Sequence, residues 1–181
     1  MFGGSQGARS LNQAVARLAE EWIKKYALQI LWQTGRANLQ EVQALPVAKN
    51  PLVRVVSYIE EMALAYSAAD LIISRAGAIT IAELSFAMKP CIFVPYPWAA
   101  ANHQEHNANL IRDAGAALVV KDDEKLTAGL KTAVASLLSD PQRARQMGER
   151  WRKFQHPDAA EKIADKIMHL AAQQFSGAGA V

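Results

Sequence analysis

The sequence predicts a doubly wound α/β domain, with a parallel sheet covered by helices on both faces. Two observations carry this prediction. Short apolar runs alternate with longer stretches of helical periodicity, and several of those runs enter glycine-bearing turns that open the next helix. Apolar strands alternating with helices imply βαβ units, whose strands are buried on both sides.

In chain order, residues 10–25 read as a helix, because Leu11, Val15, Leu18 and Trp22 fall on one face at helical spacing. Residues 29–33 form a short strand broken by Gly35, and residues 38–44 a short helix before Pro46 and Pro51. A strand over 52–57 leads to a short helix over 60–67. The compact apolar run 70–74 enters Arg75-Ala76-Gly77, followed by a helix over 80–88 that stops before Pro90. Residues 91–94 are a buried strand ended by Pro95 and Pro97. A helix over 103–114 is closed by Gly115, a favoured residue just past a helix end. A last strand over 117–120 precedes helices over 127–138, 141–154 and 158–173. Only Met1 and Phe2 precede the first glycine pair, so the first strand is expected to be truncated. Residues 1–175 read as one domain and residues 176–181, rich in glycine and alanine, as a flexible tail.

Composition narrows the class. The chain has 181 residues, 51% hydrophobic and 20% charged, as expected of one soluble globular domain. No apolar run approaches the roughly 20 residues that cross a bilayer, and the start lacks a basic-then-apolar leader. Cys91 is the sole cysteine, which excludes an internal disulfide, suits a reducing cytoplasm and reads as core. The net charge of +3 draws on Arg143, Arg145, Arg150, Arg152 and Lys153, which read as a solvated helix face ahead of a binding patch.

In doubly wound folds, ligands sit beyond the carboxyl ends of the strands, where strand order reverses. That directs attention to the loops after Phe2, Ser57, Ser74 and Val94. The loop Gly3-Gly4-Ser5-Gln6-Gly7-Ala8-Arg9 allows close backbone approach to an anion at a helix start. It equally fits a plain turn capped by Ser5 or Ser10. Around Gly77-Ala78-Ile79-Thr80, backbone N–H groups converge, Thr80 adds a hydroxyl, and Arg75 offers charge to phosphate oxygens. Glu83 suits the paired hydroxyls of a ribose, but Thr80-Ile81-Ala82-Glu83 also fits a capping box. Asn102-His103-Gln104-Glu105-His106-Asn107 supplies groups suited to sugar hydroxyls, or simply the polar first turn of a surface helix. His103 and His106 lack a third ligand and the spacing of a zinc site. Tyr58, at a strand end, is either a base-stacking or a packing aromatic.

Taken together, FGGSQGAR, SYIEEM, SRAGAITIAEL and VPYPWAAANHQEHNA resemble, in order and spacing, the C-terminal domain of the MurG family. The resemblance runs from Gly3 to about Leu170. It implies the C-terminal, donor-binding half of a GT-B glycosyltransferase. That family transfers N-acetylglucosamine from UDP-GlcNAc to a lipid-linked N-acetylmuramoyl-pentapeptide, converting lipid I to lipid II in peptidoglycan synthesis. By position, Ser5 is implied beside the donor phosphates, and Ala78, Ile79 and Thr80 at the diphosphate, with Arg75 in the same motif. The backbone of Ile59 is implied at the uracil edge with Tyr58 near the ring, Glu83 at the ribose, and Gln104 and His103 at the sugar.

The resemblance implies no metal and no cofactor, and no Asp-x-Asp motif is present. Family members also have an N-terminal domain carrying the acceptor surface, a general base and much of the membrane contact; it is not represented in these residues. The expected setting is peripheral, on the cytoplasmic face of the bacterial plasma membrane, with no nucleic-acid partner. On this reading the chain binds donor and is inactive alone. A donor-binding subunit of a two-subunit transferase and a noncatalytic nucleotide-sugar-binding domain are the alternatives.

Overall fold

The computed structural model describes residues 1–4 and 8–177. Its strands are β1 (Ile30–Gln33), β2 (Val53–Val56), β3 (Ile72–Ser74), β4 (Cys91–Phe93) and β5 (Ala117–Val119). Its helices are α1 (Arg9–Tyr26), α2 (Leu39–Gln43), α3 (Met62–Ala68), α4 (Ala78–Ala87), α5 (His103–Asp113), α6 (Leu126–Leu138), α7 (Pro141–Arg150) and α8 (Ala159–Gly177). The alternation expected from sequence is present, and every strand pair is parallel.

β1 pairs with β2, from Ile30 opposite Val53 to Gln33 opposite Val56. β4 lies between β3 and β5, with Ile92 opposite both Ile73 and Leu118. Met1 and Phe2 join the two groups. Phe2 bridges Gln33 on one side and Ser74 on the other. The Phe2 amide donates to the Ile73 carbonyl at 3.0 Å, and the Gln33 amide donates to the Met1 carbonyl at 2.9 Å. The segment expected to be a short first strand therefore takes the central position, and strand order reverses on either side of it.

The strands distribute their side chains at period two. Ile73, Ile92 and Val94 belong to a core with Leu11, Val15, Leu18 and Trp22 of α1 and with Leu130 and Val134 of α6. Ile72, Cys91 and Phe93 belong to the opposite core with Leu84 of α4, Ile111 of α5 and Trp151. Two apolar cores on one short sheet are what make the fold doubly wound.

Boundaries differ from the sequence reading in two informative places. α4 begins at Ala78, earlier than the expected start at 80, because Gly77 already supplies the extended residue before the helix, with φ −69° and ψ 151°. The helix expected over 141–154 stops at Arg150 and tightens into a 3₁₀ turn, Trp151–Phe154. That turn buries the Trp151 ring against Phe93, while Trp151 Nε1 donates to the Lys89 carbonyl at 3.0 Å. Of the basic run, Arg143, Arg145, Arg152 and Lys153 are exposed, and Arg150 reaches the Gly115 carbonyl at 3.3 Å. α8 includes Ser176 and Gly177 of the expected tail; residues 178–181 lie outside the described residues. Among the described residues, no helix is long and apolar enough to cross a membrane.

α1 ends at Ala27, which is exposed and left-handed at φ 52° and ψ 38°, donating its amide to the Ile23 carbonyl. Its Cβ is unfavourable in that conformation by roughly 1 kcal/mol. Ala27→Gly is therefore expected to raise unfolding stability by about 0.5–1 kcal/mol. A shifted urea midpoint with an unchanged slope would show it.

Candidate functional site

Because the strands are parallel, their carboxyl ends and the starts of the following helices share one edge. The order reversal around Met1-Phe2 opens the crevice of that edge between β1 and β3. The loops after Phe2, Val56, Ser74 and Phe93 lie there, as expected, and are joined by those after Gln33 and Val119.

Arg75, 7% exposed, ties this edge together. Its Nη1 donates to the carbonyls of Val94 at 2.9 Å and Pro95 at 3.1 Å. Its Nη2 donates to the Asp122 carboxylate at 2.7 Å and the Ser10 hydroxyl at 3.2 Å. Ser10 in turn donates to the same Asp122 oxygen at 2.7 Å, and the Tyr96 ring lies 5.5 Å from the guanidinium. The structure thus directs the Arg75 donors to protein acceptors, with Asp122 balancing the charge. Ser10 serves this cluster and is not the residue before α1, which is Ala8; among the described residues no side chain caps this helix.

The turn from β3 into α4 supplies the anion-binding geometry. The first described helical bond runs from the Ile81 amide to the Gly77 carbonyl at 3.0 Å. The amides of Ala78, Ile79 and Thr80 precede it and have no partner within the helix. They sit at the positive end of a ten-residue helix, and among the described residues no side chain caps them. Ala78 and Ile79 are exposed, Ile79 to 77%, and the Asn107 side chain holds the turn through the Ala76 carbonyl at 3.2 Å. The capping-box alternative falls away: Thr80 is the third residue of α4, not the residue before it.

Glu83 is exposed and accepts a hydrogen bond from the Tyr66 hydroxyl at 2.7 Å. Burial, then that bond and the Glu83 charge, hold the Tyr66 hydroxyl above its ordinary pKa. Tyr66 therefore stays protonated at neutral pH and orients the carboxylate.

The remaining expected positions are distributed as follows. Tyr58 is half exposed, whereas Ile59 is buried and its amide donates to Gln33 Oε1 at 2.8 Å. Gln33 Nε2 donates to the Gly4 carbonyl at 3.0 Å. Gln104 Oε1 accepts the Tyr96 amide at 3.0 Å, and exposed His103 places Nδ1 2.8 Å from the Ala100 carbonyl. Before them, Ala101 and Asn102 are both left-handed, at φ 48° and 53°. Ser5 lies outside the described residues.

Among the described residues, no group of three or more His, Cys, Asp or Glu is placed to hold a metal. Cys91 is fully buried, and burial raises its thiol pKa, which fits core packing. A separate cleft of about 450 Å³ opens between α1 and α2, but Arg9, Arg17, Glu20 and Glu41 all line it, so it has no one-signed field for an anion.

Sequence reasoning missed Gln33 and Asp122. Gln33 ends β1 and Asp122 follows β5, both on the same edge as the expected loops, the one signal that could have found them. Removing one partner of a buried ion pair leaves the other charge uncompensated. Asp122→Ala is expected to cost about 3 kcal/mol, and Arg75→Met with Asp122→Leu together less than that single change. Urea unfolding of the two variants checks the order.

Residues 1–163 match the glycosyltransferase family 28 C-terminal domain. Over 173 residues the chain is 42% identical to a protein of Prosthecochloris aestuarii, covering 94% of this chain and 46% of that protein. A protein of Chlorobaculum parvum is 39% identical over 171 residues with the same coverage. Both are named UDP-N-acetylglucosamine--N-acetylmuramyl-(pentapeptide) pyrophosphoryl-undecaprenol N-acetylglucosamine transferase. The crystal structure of MurG from Acinetobacter baumannii superposes with a TM-score of 0.77 at 32% identity, covering 93% of this chain and 48% of that one. The chain spans about half the length of the curated relatives it matches. It belongs to the glycosyltransferase family 28 C-terminal domain family.

Proposed function

We propose that this chain is the UDP-GlcNAc-binding half of an inverting N-acetylglucosaminyltransferase that acts on a lipid-linked N-acetylmuramoyl-pentapeptide. The observation that carries the proposal is the start of α4, uncapped among the described residues and placed at the strand-order reversal with the Tyr66-oriented Glu83 on the same helix. The names and the identity of the relatives support the choice of donor and acceptor.

On this reading the diphosphate sits on the amides of Ala78, Ile79 and Thr80, with Ser5 on the glycine-loop side. Glu83 accepts the ribose hydroxyls. Tyr58 and the Ile59 carbonyl face the base, the Ile59 amide being engaged by Gln33, while His103 and Gln104 address the sugar. Arg75 supports the site by locking the loops around it. As the sugar–phosphate bond breaks, negative charge grows on UDP, and oriented amides at a helix start stabilise it without reorganising. Displacement also needs a base that takes the acceptor proton. We assign that base, the acceptor surface and peripheral contact with the cytoplasmic face of the plasma membrane to an N-terminal domain outside residues 1–175. The chain alone is then expected to bind donor and transfer no sugar.

Calorimetric titration with UDP and ADP tests the proposal; UDP should bind at least tenfold tighter, and equal or absent binding for both would sink it. Glu83→Gln still accepts from Tyr66, so its melting temperature should stay close to that of the parent. Its UDP affinity should fall about tenfold, and it should no longer distinguish UDP from 2′-deoxy-UDP. Retained discrimination would remove Glu83 from the ribose.

A further inference from the structure

Gln33 ends β1 and is 2% exposed. Both ends of its carboxamide are in use, one on the Gly4 carbonyl at 3.0 Å and the other on the Ile59 amide at 2.8 Å. The first partner only accepts and the second only donates, so the amide has a single satisfied orientation. The main chain on either side is fixed as well. The Gln33 amide donates to Met1, the Thr34 amide to the Val56 carbonyl at 3.0 Å, and the Gly35 amide to the Ser57 carbonyl at 3.1 Å.

This side chain therefore spans two loops that are distant in sequence. Gly4 belongs to the loop that opens α1, at the phosphate side of the proposed site. Ile59 belongs to the loop after β2, at the base side. Among the described residues, no hydrogen bond joins those loops directly, and Gln33 is the polar side chain that reaches both.

We infer that Gln33 is a positioning residue, a strut that fixes the base-holding loop against the Gly4 segment beside the phosphate side of the site while touching neither phosphate nor base. The inference rests on the reading of this edge as a UDP site. A ligand that engages two subsites at once gains from their being held at the right separation, because the second contact forms without a further ordering cost. A ligand that engages only one subsite has no such gain. Loss of the strut should therefore weaken the joined nucleotide and spare its pieces.

The test uses Gln33→Met, which keeps length and volume but neither hydrogen bond, and Gln33→Glu, which still accepts from Ile59 but cannot donate to Gly4. Binding of UDP, uridine and inorganic pyrophosphate is measured for each by ligand-observed NMR, with thermal melts alongside. Gln33→Met is expected to weaken UDP at least tenfold, with uridine and pyrophosphate within twofold of the parent chain. Gln33→Glu should likewise weaken UDP and leave uridine unchanged, and it decides the question if Gln33→Met does not fold. UDP binding that survives both substitutions would overturn the inference, as would parallel loss of all three ligands. A parent chain that does not prefer UDP to ADP would instead overturn the reading of the site, whatever the variants do.

Discussion

A guanidinium taken out of water must find its acceptors inside the protein, and at this edge the nearest ones lie on three separate segments. Arg75 recruits the carbonyls that end β4, the Ser10 hydroxyl at the start of α1 and the Asp122 carboxylate beyond β5. The Arg75–Asp122 pair is nearly excluded from solvent, so each side chain is held in place by its contact with the other. The open start of α4 lies three residues beyond Arg75, so its amides are aimed by a framework that cannot drift without exposing an unpaired charge.

A second constraint comes from the sheet. Three-residue strands such as β3, β4 and β5 are short for a domain of this size. Their side chains nevertheless contribute to two cores, since neighbours such as Ile72 and Ile73 face opposite ways. The central position, held by Met1 and Phe2, links the β1–β2 pair to the β3–β4–β5 group. Gln33 works at that same junction. One residue there both closes the sheet through its backbone and spans two loops through its side chain.

Much of this was legible in advance. Leu11, Val15, Leu18 and Trp22 are buried on one face of α1, as their spacing required. Gly115 has φ 72° where a helix end needs it, and the turn after Ser74 opens a helix at the expected edge. Local signals sufficed because the causes are local: helical periodicity, a left-handed glycine, an apolar run before a turn. The start of α4 falls two residues before the expected 80 because Gly77 already supplies the extended residue that precedes the helix.

The sequence by itself determined the alternation of strands and helices, the location of the loops and the family resemblance, since each is written in neighbouring residues. Only the tertiary structure decided what the polar side chains do. Arg75 and Asp122 are 47 positions apart and Gln33 and Ile59 are 26, so no window along the chain contains either contact. Arg75, with the charge to meet a phosphate, became a buried tie, and Glu83 a carboxylate steered by Tyr66. Desolvation is the physical reason. Once folding removes water from a polar group, its role is set by whichever partner the fold brings within hydrogen-bond distance.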